Sequence, residues 1–190
     1  MARPRQFDEE KALDGAMRAF WAAGYEATST EDLCEATGLG RSSVYNAFNS
    51  KRELFERALR RYTEAKTAPI MELLEGDLPV REKVRALLAQ PADPPEDDPV
   101  GCLVVNSMVE LAPRDPEIAE ILRRDQDRRQ AALRAALDTG RRNGELAPDA
   151  DVAALADYIA AVIGGMRVAA RGGADRATLR RIADTALAAL

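Results

Sequence analysis

Residues 29–51 read STEDLCEATGLGRSSVYNAFNSK, with Leu33, Ala36, Leu39, Val44 and Phe48 as the apolar positions. That spacing predicts two short helices meeting at a turn, not one continuous helix. Gly38 marks the turn, because a sharp break between helices calls for a left-handed residue and glycine adopts that conformation at least cost. Ser29 or Thr30 caps the first helix, with Glu31 and Asp32 favourable in its opening turn. The second, from about Arg41 to Ala47, turns Val44 and Phe48 inward and leaves Arg41, Ser42, Ser43, Tyr45 and Asn46 outward. So short a helix buries too little to stand alone and must be held by neighbours. The expected arrangement is a helix-turn-helix, whose second helix enters a DNA major groove.

The flanks supply those neighbours. Upstream, Asp8 is placed to cap a helix with Glu9 and Glu10 in its first turn. Leu13, Ala16, Met17, Phe20 and Trp21 then form one stripe that ends at Gly24. Downstream, Ser50 to Glu53 has the S-x-x-E form of a capping box and opens a long helix carrying Leu54, Phe55, Ala58, Leu59, Tyr62 and Ala65. Pro69 is expected to kink or interrupt it. The arm Met1 to Gln6, with Arg3 and Arg5, is either a solvated terminus or a basic strand lying along DNA.

Composition limits the alternatives. The 190 residues, 46% hydrophobic and 31% charged, allow one large or two small domains. The net charge of −5 is unevenly spread. Residues 1–66 balance eleven basic against eleven acidic groups, and residues 36–61 hold six basic against two acidic, the local surplus that phosphate contact needs. The opening MARPRQFDEE has no export pattern, and the most apolar later run, Tyr158 to Met166, is too short to span a bilayer. The expectation is a cytoplasmic protein with no membrane partner. Two cysteines make no disulfide framework, and the lack of histidine removes serine and cysteine triads and His-bearing zinc sites. No spacing argues for a carboxylate or lysine enzyme, so neither catalysis nor a cofactor is expected.

The remaining chain reads as further helices, about nine in all, and an all-α fold. Residues 80–89 turn Val84, Leu87 and Leu88 inward, and QPADPPEDDP at 90–99 is an exposed loop. Val100 to Ala112 is apolar on nearly every face, which predicts a helix buried all round. Asp115-Pro116-Glu117 starts a helix reaching about Asn143, with Ile118, Leu122, Leu133, Ala136 and Gly140 in line. Asp125 and Arg129 interrupt that line, as a surface ion pair or as polar groups on a cavity wall. Asp149 or Asp151 caps the next helix, and the last carries Leu179, Ile182, Ala183, Ala186, Leu187 and Leu190. These two terminal helices have more apolar face than one core needs.

Ala16, Phe20, Gly24, Tyr25 and Thr28, followed by Gly38, Tyr45, Phe48 and Lys51, reproduce at fixed spacing the pattern of the DNA-binding domain of TetR-family transcriptional regulators, which this chain closely resembles from Asp8 to Leu59. The resemblance implies a helix-turn-helix DNA-binding domain at 1–50 and a helical ligand-binding and dimerisation domain at 51–190. It puts Gly40, Arg41, Ser42 and Ser43 at the base-facing start of the recognition helix, with Arg41 the candidate for guanine readout. Tyr45, Asn46 and Lys51 align with phosphate-contacting positions, and Thr30, near a helix N-terminus, adds a phosphate bond. Ala47 is smaller than the family's usual residue there, and Arg52 reads as solvated surface.

The implied function is repression from a palindromic operator by a homodimer paired through its two C-terminal helices. A small-molecule inducer then releases it. Candidate pocket residues are Met71, Leu87, Cys102, Asn106, Val109, Asp125, Ile163 and Met166. Cys102 is either an inert core thiol or an electrophile sensor at a helix start. Two other functions stay open: a small all-α enzyme or carrier of an apolar molecule, and a ligand-independent DNA-organising protein.

Overall fold

The computed structural model describes residues 9–190, so the roles given to Asp8 and to the arm Met1 to Gln6 fall outside the described residues. Among those residues there are nine helices and no strand: α1 (Glu9–Ala23), α2 (Thr30–Thr37), α3 (Arg41–Phe48), α4 (Lys51–Glu75), α5 (Val80–Ala92), α6 (Leu103–Glu110), α7 (Pro116–Arg142), α8 (Val152–Arg171) and α9 (Arg176–Ala188).

Local chemistry sets the ends of the first three helices. The Ser29 hydroxyl accepts from the Asp32 amide at 3.1 Å and the Asp32 carboxylate accepts from the Ser29 amide at 2.7 Å, so Ser29, not Thr30, is the cap. Those bonds hold the Asp32 carboxyl below its usual range. Gly38 closes α2 with φ 68°, the left-handed conformation the turn requires. α1 and α2 cross so closely that a Cβ on Gly15 would lie 2.1 Å from the carbonyl oxygen of Ala36. Ala36 itself faces solvent, contrary to its expected inward position, because its backbone is the part packed on α1.

Phe20 and Phe55 meet edge to face at 5.0 Å, and Tyr25 packs on Phe55 at 4.9 Å. Such pairs add about 0.5–1.5 kcal/mol each beyond their area burial. With buried Leu33, Val44 and Phe48 they fix the small helices onto the first turns of α4.

Several expectations need correction. α4 is not interrupted at Pro69 but runs 25 residues to Glu75. The proline ring is on the exposed face, and buried Thr67 and Ile70 on either side hold the helix despite one lost donor. Its capping box is one-sided: Ser50 accepts from the Glu53 amide at 3.0 Å, while the Glu53 carboxylate takes the Asn49 side-chain amide instead. α5 extends through Pro91 to Ala92, both buried, so the acidic loop begins at Asp93. α6 covers only Leu103–Glu110 and is not buried all round: Val109 is 74% exposed and Val100, ahead of the helix, 60%. It packs on α1, α4, α7 and α8, which leaves one face to solvent.

Two hydrophobic clusters form the interior, and the first is shared between the helix-turn-helix and the helices after it. The first joins α1, α2 and α3 to the first half of α4, to α6 and to Ile118, Ile121 and Leu122 of α7. The second joins the last turns of α4 to α5, the C-terminal half of α7, α8 and α9.

α8 also departs from the reading of Tyr158 to Met166 as the limit of the apolar run. It is 20 residues long and by length and composition alone apolar enough to cross a membrane. Only Ala156, Ile159 and Met166 are buried, while Tyr158 and Val168 stand exposed.

Candidate nucleic-acid interface and regulatory cavity

The helix-turn-helix presents α3 outward. Gly40 precedes it as the N-cap, and Arg41, Ser42 and Asn46 are exposed, with Ser43 half-buried. Among the described residues no side-chain partner holds the Arg41 guanidinium, so its donors point to solvent at the head of the helix. Tyr45 is half-buried, not fully outward, and its hydroxyl lies 3.0 Å from Thr30 Oγ1. That bond ties the first residue of α2 to the middle of α3. The Lys51 ammonium sits 4.5 Å over the Tyr25 ring, which places a cation at the start of α4 beside the motif. The eight residues expected at a DNA surface, Thr30, Gly40, Arg41, Ser42, Ser43, Tyr45, Asn46 and Lys51, thus all lie on or beside α3 and the helix starts next to it.

Arg52 is not merely solvated. Its Nε and Nη2 donate to the two Asp115 oxygens at 2.9 and 3.0 Å, and Nη2 also reaches Glu117 at 3.2 Å. Burial pushes the Asp115 carboxyl up, but the Ile118 amide and the Arg52 guanidinium outweigh it and leave the group below its usual range. Glu110, at the end of α6, accepts the Tyr25 and Glu26 amides at 3.0 and 2.7 Å, so the body also grips the link between α1 and α2. Arg171 of α8 donates to the Ala22 carbonyl at 3.0 Å. These ties span 63 to 149 residues of chain and carry no local sequence signal.

In the body, α4, α5, α6, α7 and α8 surround a cavity of about 180 Å³. Ile70, Leu74, Leu87, Met108, Leu133 and Ile163 give most of its wall, and its polar groups are Asp125, Arg129, Arg167 and the amides of Gln90, Gln126 and Gln130. Of the eight candidates, Leu87, Cys102, Asp125 and Ile163 line it. The other four do not. Val109 faces solvent, Met166 is buried in the second cluster, and Asn106 donates to the Trp21 carbonyl at 3.4 Å. Met71 is turned about 100° from Ile70, which does reach the wall.

Asp125 and Arg129 are not a solvated surface pair. Asp125 keeps only 10% of its side chain exposed and meets Arg129 at 2.9 Å. Thr67 of α4, 1% exposed, donates to Asp125 Oδ1 at 2.5 Å and accepts from Arg129 Nε at 2.8 Å. Thr67→Val removes the bridging hydroxyl and leaves both partners short of a bond, so a loss of about 1–3 kcal/mol is expected, read as a lower urea midpoint at unchanged slope. An unaltered midpoint would show the bridge to be idle. Asp125 and Arg129 line the cavity, as the second of their two sequence readings expected, whereas nothing in the sequence singled out Thr67 or Arg167. Cys102 is buried, and its sulfur accepts from the Tyr62 hydroxyl at 3.5 Å. Burial, then Cys102, push the Tyr62 phenol well up, and Arg167 opposes them.

A three-helix head presenting a short exposed helix, carried on a long helix into a helical body with a partly open cavity, defines a helix-turn-helix DNA-binding regulator. Residues 12–58 match the model for bacterial regulatory proteins of the tetR family, and residues 80–186 match that for the tetracyclin repressor-like C-terminal domain. The chain is 36% identical over 188 residues to the HTH-type transcriptional repressor ComR of Escherichia coli K12, covering 97% of this chain and 90% of that protein. It is 34% identical over its whole length to the HTH-type regulator YezE of Bacillus subtilis 168. A cysteine mutant of the TetR-family regulator CifR, solved with 26-bp double-strand operator DNA, superposes with a TM-score of 0.87 at 33% identity over 99% of both chains. The protein belongs to the TetR family and is a DNA-binding transcriptional regulator.

Proposed function

We propose that the protein is a ligand-responsive repressor that binds a palindromic operator as a homodimer and acts in the cytoplasm without catalysing a reaction. One observation carries this reading: α4 begins at Lys51 beside the recognition helix and ends in the cavity wall with Ile70 and Leu74. Those 23 residues of helical rise make a rod of about 35 Å. A ligand that changes how α7 and α8 pack on Thr67, Ile70 and Leu74 therefore tilts the element that carries the head. Operator and inducer must then oppose each other by the same factor, since the coupling free energy is shared. The reading keeps DNA recognition at residues 1–50 and regulation and pairing at 51–190.

The pairing surface is the outer face of α8 with α9. Tyr158 and Val168 are exposed there, and Tyr158, Val162, Ile182 and Thr185 border a shallow groove between the two helices. A second copy covers this face with its own, as a two-fold interface requires. That cover accounts for the apolar length of α8 without lipid. Two recognition helices so joined would enter the major groove about one helical turn, roughly 34–36 Å, apart.

Arg41→Ala is expected to cost about 1–3 kcal/mol at one base pair per half-site and to relax specificity there. Lys51→Ala should weaken all sequences alike and flatten the salt dependence. Equal losses on specific and random DNA for both variants would rule out this division of labour. A gel-shift titration against the gene's upstream region and a random duplex tests the whole reading. Preference for the upstream region by about a thousandfold or more is expected at physiological salt. Equal affinity would favour a DNA-organising protein, and no binding to either would favour a carrier or enzyme.

A further inference from the structure

We propose that the cavity takes a small apolar monocarboxylate, anchored by Arg167. The inference rests on the ligand-responsive reading and names the chemistry of its ligand. It starts from the charges that reach the cavity: Asp125 is the one acid among the lining residues, against Arg129 and Arg167. Both Asp125 oxygens are occupied, Oδ1 by the Thr67 hydroxyl and Oδ2 by the Arg129 guanidinium. Arg167 is half-buried at the wall, and among the described residues no carboxylate lies within ion-pair reach of it. Nη2 of Arg129 is fully buried, and its close approach to Asp125 lacks hydrogen-bond geometry, so a second donor there is under-used. The lining thus carries one surplus positive charge in a largely apolar, partly open cavity. A partly desolvated cation in such a place favours an anion, and a guanidinium fork matches a carboxylate in two bonds.

Size narrows the choice. An apolar cavity of about 150 Å³ accommodates benzene, and this one is about 180 Å³ with a polar end. That space suits one ring or a chain of roughly six to eight carbons bearing a single charged group. Leu74, Leu87, Met108, Leu133 and Ile163 supply the apolar contact, and Gln126 stands on the same α7 face as Arg129, while the Gln130 amide nitrogen is held by Asp157. A cationic ligand of equal size would meet the surplus charge with repulsion and would have to displace Thr67 or Arg129 from Asp125. The α8 residues that face the cavity, Ala160, Ile163, Gly164 and Arg167, lie on a different side of the helix from Tyr158 and Val168, so pairing and ligand do not compete for the same side chains.

The test is calorimetric titration of the full chain with benzoate, phenylacetate and hexanoate, each beside its neutral amide and its amine counterpart. At least one acid is expected to bind about tenfold or more tightly than its amide, with the amine weakest. Arg167→Gln should reduce that acid to the level of the amide, and Arg167→Lys should restore part of the difference. Binding of an amide or amine as tightly as its acid, or an acid indifferent to Arg167→Gln, overturns the proposal, as does a panel in which no acid binds. If operator DNA is then still released by a neutral or cationic compound of this size, the ligand-responsive reading survives; release by no compound would remove both.

Discussion

The double substitution Ala161→Asp, Val168→Asp is expected to leave a folded monomer whose operator affinity is lower by roughly two to four orders of magnitude. Both positions are exposed in the single chain, seven residues apart on one stripe of α8. The substitution therefore removes no internal contact and should not lower the melting temperature of the protomer by way of its core. In a two-fold pair the stripe would face itself, and four carboxylates would be brought into an apolar contact. Desolvating unpaired charges there costs more than the face gains by burial. Each head would then bind its half-site alone, without the high effective concentration that a joined second head supplies. Sedimentation and gel-shift titration of the same sample check both halves of the expectation. A variant that still sediments as a pair would place the interface elsewhere, and a monomer with full operator affinity would dispose of the palindrome.

Gly15→Ala is expected to destabilise the head by about 1–3 kcal/mol or more and to abolish specific DNA binding while the second cluster, from the end of α4 to α9, stays packed. The obstacle is a main-chain atom: the new methyl would sit 2.1 Å from the Ala36 carbonyl oxygen, where no side-chain rotation relieves it. α1 and α2 must move apart, which pulls α2 and its bond from Thr30 to Tyr45 away from α3. Leu33 would lose its seat against the aromatic cluster. Thermal unfolding followed through Trp21, which is buried in that first cluster, should show a lower transition than the far-ultraviolet signal of the whole chain. Wild-type melting and wild-type DNA affinity together would mean that the two helices are not held at this distance.

The features read directly from sequence were those written within a few residues of one another. Ser29 with Asp32 and Gly38 each report a cap or a turn through their own backbone, so the helix-turn-helix was visible in 23 residues. Asp115-Pro116 did the same for the start of α7, and Asp151 settled the choice of cap for α8 by accepting from Ala153 and Ala154. Where the reading failed, burial rather than helicity was at issue. The apolar run around Val109 and Val100 predicts an interior place for both, yet a helix of eight residues packed on four others still leaves one face to solvent, and Val100 lies ahead of it. Met71 and Met166 lie on the right helices at the wrong angle, and one residue of error is 100° of rotation.

The order and type of the helices, the capped turn and the exposed arginine of α3 were determined by the sequence alone, because hydrogen bonds between near neighbours and the periodicity of apolar residues are local properties. The polar end of the cavity was decided only when Thr67 of α4, Asp125 and Arg129 of α7 and Arg167 of α8 came together. The same holds for Arg52 on Asp115 and for Glu110 on the Tyr25 amide, which join residues 63 and 85 apart. A pairing across that distance depends on the crossing and rotation of whole helices, set by the summed packing of two cores, and no short stretch of chain records it.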